Sequence, residues 1–440
     1  MSLESTIASA SVAPIAGLAF SQLPSVASYV TSREEVQYVP AGGQPFSSGG
    51  TRVLRINCSG NGFIDLSSLV LRYTLKNDAA NGGNHLQPLT PDGGSIFSEL
   101  RVLCSGIEIE RIGGGSCGYD RILAALNLGL PIQKRIDQAG MGWGIVTKDA
   151  NGATLDLFKG DNIVVNSLGP QQQGTIYHKV LSGLANQHLF LPLFALSGNG
   201  FTLEYILHSD SSAAVNSNVV ANVSGSTAWS VTDVALMADV VRVDEALMSS
   251  YASHLLNQKA LTVPFKTYTT VSFQTNSNKD QMLVIPRTFS RLSQVLLLPS
   301  KPVNGGVKDG NAFPFPGGAA TVDNMEAFIQ VGATKWPSVT YRGAREMYMR
   351  YLKALGYLAS GMHYSSNPFD NWVGQGCIIA FDLERVAGTN FSGYNTTGAN
   401  TTITLKNFGQ QASEAVTRFD VLLFHDSLLE VMDGTCSVSF

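Results

Sequence analysis

Charge is what this chain has least of. Asp, Glu, Lys and Arg supply 14% of its 440 residues, against about 25% in a typical soluble domain. The formal net charge is −4, and no Lys and Arg cluster offers a footprint for a phosphate backbone, so direct nucleic-acid binding is not expected. The five cysteines, Cys58, Cys104, Cys117, Cys377 and Cys436, form an odd set without C-x-x-C spacing. They fit reduced thiols, and folding inside a cell, better than a disulfide framework or a zinc site. The seven histidines, at 85, 178, 188, 208, 254, 363 and 425, contain no H-x-x-x-H or H-E-x-x-H pair, so metal spacing is missing too. There is no P-loop. No run approaches the roughly 18 apolar residues of a membrane span, and the N-terminus lacks the basic and apolar regions of a signal peptide. Sequons at Asn222, Asn390, Asn395 and Asn400 are what an Asn-, Ser- and Thr-rich chain produces by chance.

What the chain has instead is glycine, 44 residues of it, in the composition of a neutral surface built from turns and loops. One core cannot serve this length, and two domains are expected. The stretch 229–274 divides them. Val234, Leu236, Ala238 and Val240 alternate with Met237, Val241 and Val243, which reads as a strand buried on both faces. Asp244 then offers a capping oxygen to a short amphipathic helix, with Leu247, Tyr251 and Leu255 beside Met248, Ala252 and Leu256. From Leu261 the period returns to two, with Val263, Phe265, Val271 and Phe273 on the same face.

On either side of this hinge piece the order repeats: strands, a long loop, a strand, a helix, strands. In the first half strands are expected at 54–58, 69–76, 95–112, 175–181, 187–196 and 200–209, with a helix at 117–130. In the second they are expected at 281–286, 290–298, 325–333, 376–384, 401–408, 418–431 and 436–440, with a helix at 345–358. This is a duplication of architecture rather than of letters. Residues 1–32 carry Glu4 as their one charge. They read either as a disordered terminus or as an arm that orders on a neighbouring subunit or a membrane-side partner through Ile15, Leu18, Phe20 and Leu23.

One motif tempts. Gly114-Gly115-Ser116-Cys117-Gly118 satisfies G-x-S-x-G between a predicted strand and a predicted helix, the context of a nucleophile elbow, and GGGSCG at 113–118 also satisfies G-x-G-x-x-G. The chain shows no β-α-β alternation for the parallel sheet an elbow stands on. The QKRIDQAGMGWG that follows the helix is a poor second strand for a dinucleotide unit. A Gly-rich turn from strand into helix is the plainer reading, and the residues define no catalytic, cofactor-binding or metal-binding set.

The β halves resemble a known family. VQYVP at 36–40, GFIDLSSLVLRYTL at 62–75, SIFSELRVLCSGIEIERI at 95–112 and LFLPLFALSGNGFTLEYIL at 189–207 carry the likeness in the first half. The strand and turn from Ile329 to Pro337, the helix around Tyr348, and IIAFDLERVAGTNFSGYNTTGANTTITLKNF at 378–408 carry it in the second. Each is weak alone, but their joint order resembles the double jelly-roll major capsid proteins of icosahedral double-stranded DNA viruses. That lineage includes adenovirus hexon, virophages, polinton-like viruses and adintoviruses. The resemblance implies an all-β fold of two tandem eight-stranded jelly rolls, with short helices in each half and one between them. It divides the chain into an N-terminal arm (1–35), a first jelly roll (36–243), a linker helix (244–258) and a second jelly roll (259–440). It implies a non-enzymatic coat subunit of the virion, made in the host cell, forming pseudo-hexagonal homotrimeric capsomers. Its partners would be neighbouring capsomers, penton and minor capsid proteins, and an internal membrane near the arm, with no cofactor. Loops at 77–95, 300–324 and 386–402 would lie at one end of the sandwiches, without the tall towers of the much longer hexon. The alternatives are a two-domain β-sandwich binding protein of the carbohydrate-binding kind and a Ser116 hydrolase.

Overall fold

A computed structural model describes residues 30–440 except 81–83, 89, 91, 116, 145–165, 199, 216–217, 221–222, 258–259, 276–279, 301–312, 317–323, 357–364, 366, 375, 387–390, 408–415 and 433. The arm, Ser116, His363 and most of the 300–324 loop therefore lie outside the described residues.

The first half contains strands β1 (Val30–Tyr38), β2 (Val53–Cys58), β3 (Phe63–Asn77), β4 (Phe97–Cys104), β5 (Ile107–Gly113), β6 (Gln173–Lys179), β7 (Phe201–Leu207) and β8 (Trp229–Val243). They form two sheets, ordered β1-β8-β3-β6 and β2-β7-β4-β5. The second half contains β9 (Leu261–Gln274), β10 (Gln281–Ile285), β11 (Leu292–Ser300), β12 (Glu326–Val331), β13 (Thr334–Arg342), β14 (Ile379–Asp382), β15 (Thr401–Lys406) and β16 (Arg418–Met432). Its sheets are ordered β9-β16-β11-β14 and β10-β15-β12-β13, so each label of the first half plus eight gives the second. Two four-stranded antiparallel sheets interleaved in this order form a jelly roll; the chain is two of them in tandem.

Alternation explains why the sheets face as they do. Leu69, Leu71, Tyr73 and Leu75 of β3 are buried, while Val70, Arg72 and Lys76 on the other face are half-buried and Thr74 among them is buried. In both halves the passage from the fifth strand to the sixth is helical. Helices α1 (Tyr119–Leu128) and α2 (Ile132–Met141) leave β5, and α4 (Gly343–Ala354) and α5 (Phe369–Gly374) leave β13. Between the halves lies α3 (Glu245–Leu256). A last strand, β17 (Thr435–Ser439), folds back on β16 from Leu428 to Met432. It covers the part of β16 that β11 leaves unpaired, where an open edge would invite another strand.

Several expectations change. β1 begins at Val30, inside the stretch expected as the arm, and pairs with β8 from its first residue. Asp244 sits at the N-cap of α3, but its side chain makes no capping hydrogen bond. Of the expected helical stripe only Leu255 is buried, and Leu256 is 72% exposed. β8 is not buried throughout, since Asp233 is exposed and Met237 half-buried. The 187–196 segment contributes only Leu191–Pro192 as strand before a 3-10 turn at Leu193–Ala195. The QKRIDQAGM segment is helix α2.

Candidate functional site

The Gly-rich motif lies where β5 turns into α1. Gly113, Gly114 and Gly115 all have positive φ, between 62° and 91°, and a Cβ on Gly113 would meet the Tyr119 backbone nitrogen at 2.5 Å. The glycines are required by the turn. Gly118 is the N-cap of α1. Cys117 is buried, and burial pushes its thiol up, away from the thiolate that reactivity needs. The strand before the turn pairs antiparallel with β4, so the parallel sheet beneath a nucleophile elbow is not built.

The turn delivers α1 to the seam between the sandwiches. Arg121, third residue of α1, is buried, with its Nε 3.0 Å from Oδ2 of Asp420 on β16. Its Nη2 donates to the Pro299 carbonyl at 2.7 Å, and its guanidinium lies 4.6 Å from the Phe313 ring centre. Asp420 also accepts from Arg418 at 2.9 and 3.0 Å and from Ser272 at 2.6 Å. A carboxylate with no exposure is thus satisfied by two guanidinium groups and a hydroxyl, as burial demands.

Glu110 of β5 is the second anchor. It accepts from the Ser182 hydroxyl and from the Gly183 and Leu184 N–H groups at 3.0 and 3.1 Å. Burial pushes its carboxyl above the ordinary value, opposed by these bonds and one with Thr267. A Cβ on Gly183 would lie 2.0 Å from the Lys266 carbonyl oxygen, so glycine is what lets the two backbones touch. At the far end β17 clips onto the first sandwich. Gly434 N–H donates to Ala195 O at 3.1 Å, Ser197 donates to Gly434 O, and the Cys436 thiol lies 3.8 Å from the Ser105 hydroxyl. Cys104 shares a hydrogen bond with Cys436, which with burial holds the Cys104 thiol high.

Behind α1 is a buried relay. His178 Nδ1 is 3.1 Å from Asp92 Oδ1, and its Nε2 is 2.7 Å from the Tyr119 hydroxyl. Burial pushes the Asp92 carboxyl up, but the bonds from His178, Gly94 and Asn127 outweigh it and hold it below its ordinary value. Asp92 and His178 border a cavity of about 510 Å3 between the sandwiches, which Leu123 and Leu126 of α1 share with Tyr268 and Phe424 of the second half. Each polar edge of the relay meets a neighbour within the fold: Asp92 takes the Gly94 N–H and Asn127, and the Tyr119 hydroxyl accepts from the Leu181 N–H. Among the described residues no group of three or more His, Cys, Asp or Glu is arranged to hold a metal ion. No helix among them is long and apolar enough to cross a membrane. Sequence reasoning missed this seam, because its partners lie far apart in the chain and no motif marks them.

No family model and no curated protein matches the chain. Solved structures do. The PBCV-1 virus capsid chain matches with a TM-score of 0.61 at 14% identity, over 94% of this chain and 97% of that one. The Faustovirus major capsid protein gives 0.61 at 10%, over 91% and 90%. A chain of the Sputnik virophage structure gives 0.56 at 11%, over 94% and 89%. At these identities the likeness is one of fold, and it spans both sandwiches.

Proposed function

We propose that this chain is a major capsid protein, structural rather than catalytic, whose homotrimer is a pseudo-hexagonal capsomer tiling an icosahedral virus shell. The observation that carries the reading is the doubling itself. Two sandwiches of one strand order are locked side by side through Arg121 on Asp420, Glu110 on Thr267 and Gly183 against Lys266, so three copies would supply six nearly equivalent blocks around one axis. Likeness in fold to capsid chains over nearly the whole length supports it. We divide the chain into an arm (1–29), a first sandwich (30–243), a linker (244–258) and a second sandwich (259–440). In a shell its neighbours would be other capsomers, penton and minor capsid proteins, with the arm toward an internal membrane. The carbohydrate-binding alternative would be served best by exposed tryptophans, yet Trp143, Trp229 and Trp372 are buried and Trp336 is half-buried.

The test is the native mass by light scattering, followed by negative-stain class averages. A mass about three times 46.9 kDa with a hexagonal outline is expected; a stable monomer overturns the reading. Deleting residues 2–29, which spares β1, should leave trimers intact and impair shell assembly. Ser116→Ala should assemble as the unaltered chain does.

A further inference from the structure

The eighth strands of the two sandwiches share letters as well as place. DVALMAD at 233–239 in β8 and DVLLFHD at 420–426 in β16 agree at the first, second, fourth and last positions. The match is in phase with the sheets. Val234, Leu236 and Ala238 point into the first core, as Val421 and Leu423 do into the second. The outward residues then correspond as Asp233, Ala235, Met237 and Asp239 with Asp420, Leu422, Phe424 and Asp426.

Their surroundings differ. In the second sandwich this outer face is covered from within the chain by α1. Asp420 takes Arg121, Leu422 is fully buried, and Phe424 meets Leu123 and Leu126 across the cavity. In the first sandwich the face is open at its Asp233 end. The Asp233 side chain is 63% exposed and bonded on one oxygen to Arg72 at 3.2 Å, as Asp420 is bonded to Arg418 of its own sheet. Met237 and Asp239 are half-buried.

The helices mirror this. α1 is buried at Tyr119 through Leu123, at Ala125 and at Leu128. Its counterpart α4 buries Gly343, Ala344, Met347 and Tyr351 and exposes Arg345, Met349 and Lys353, a stripe at i, i+4 and i+8. Arg345 is the third residue of α4 as Arg121 is of α1. It lies 5.3 Å from the Phe369 ring centre and has no carboxylate partner among the described residues. Among the described residues the stripe of cation, methionine and cation has no carboxylate partner; on the β8 face Asp239 is held by Arg33 of β1 at 2.8 Å, which leaves Asp233 and Met237 as its open part.

The geometry points to a second copy of this chain as the cover for both: α4 of one copy packs on the Asp233–Asp239 face of β8 in the next, with Arg345 on Asp233 repeating Arg121 on Asp420. This surface rests on the trimer reading above and deepens it by naming the residues that join subunits. Repeated head to tail and closed at three copies, as the trimer reading requires, it covers every β8 and β16 face with the helix of the preceding sandwich.

The experiment is light scattering over a dilution series with the full chain, Arg345→Asp, Asp233→Arg and the double variant. Each single change puts like charges together and should raise the subunit dissociation constant at least about tenfold; the double variant should recover most of the loss. Because Arg345 and Asp233 are exposed, unfolding midpoints should stay near that of the unaltered chain. Independently, a chain with Arg345→Cys and Asp233→Cys should yield covalent trimers with a short bismaleimide, whereas either single cysteine should not. Trimers that withstand both charge reversals and give no crosslink overturn this surface while leaving the trimer standing. An unaltered chain that is monomeric at every concentration overturns both.

Discussion

The two sandwiches close the same opening with different chemistry. Where the fifth and sixth strands diverge, the first half inserts Tyr119, whose hydroxyl joins His178 and, through it, Asp92. The second half fills the corresponding region with rings. Trp372 packs against Tyr348, Phe369 and Phe315 with centroids 5.7 to 6.3 Å apart, and its indole N–H donates to Ile378 O at 3.1 Å. Hydrogen bonds fix direction and tolerate little movement, while packed rings supply area and tolerate more. The stricter device sits beside the seam, where α1 must present Arg121 to a single carboxylate; α4, whose exposed stripe has no carboxylate partner among the described residues, rests on the looser one.

The largest expected effect separates the two matched aspartates. Asp420→Ala removes the carboxylate that the buried Arg121 pairs with and should cost about 3–5 kcal/mol in urea unfolding, whereas Asp233→Ala, at an exposed pair, should cost under about 1 kcal/mol in dissociated protein. Equal losses would break the distinction between a covered and an open face. Next is a pH effect confined to the second half. Burial, with Arg287 nearby, lowers His425 from 6.5 to about 4, against a hydrogen bond at Asp426. The unfolded chain takes up this proton first, so the stabilising contribution is complete above pH 6.5 and declines as pH falls toward 4, by roughly 3 kcal/mol. His425→Gln should flatten that slope; parallel stability curves would refute the assignment. In the first half, Tyr119→Phe leaves His178 Nε2 and the Leu181 N–H without their partner and should cost about 1–3 kcal/mol. A neutral result there would mean that the relay is no more exacting than the ring cluster. Smallest of all, Met282→Ser and Val284→Thr on the exposed face of β10 should change stability by less than about 0.5 kcal/mol.

Much of the fold could be read from alternation, because strands such as β3 and β15 bury one face against a core. Failures came where that contrast is missing. β13 is exposed or half-buried everywhere but at Tyr341 and carries Pro337, so it shows no period of two. The 187–196 run is apolar, but much of it packs as a turn. α2 hides its helical period among polar residues and a glycine. The seam was illegible for another reason: Arg121 and Asp420 are 299 residues apart, and nothing local announces such a pair. The repeat of DVALMAD in DVLLFHD was on the page throughout, but seven letters acquire meaning only when both are seen to occupy the same strand of the same sandwich.

The clip made by β17 has a kinetic consequence. Ser197 and Gly434 are separated by 237 residues, and Ser105 and Cys436 by 331, so these contacts form only after both sandwiches have emerged from the ribosome and met. Closing so long a loop belongs to the slow end of folding. The first sandwich can fold early and wait as an independent unit, while the hairpin acts as a late latch, engaging only subunits whose second half has already folded.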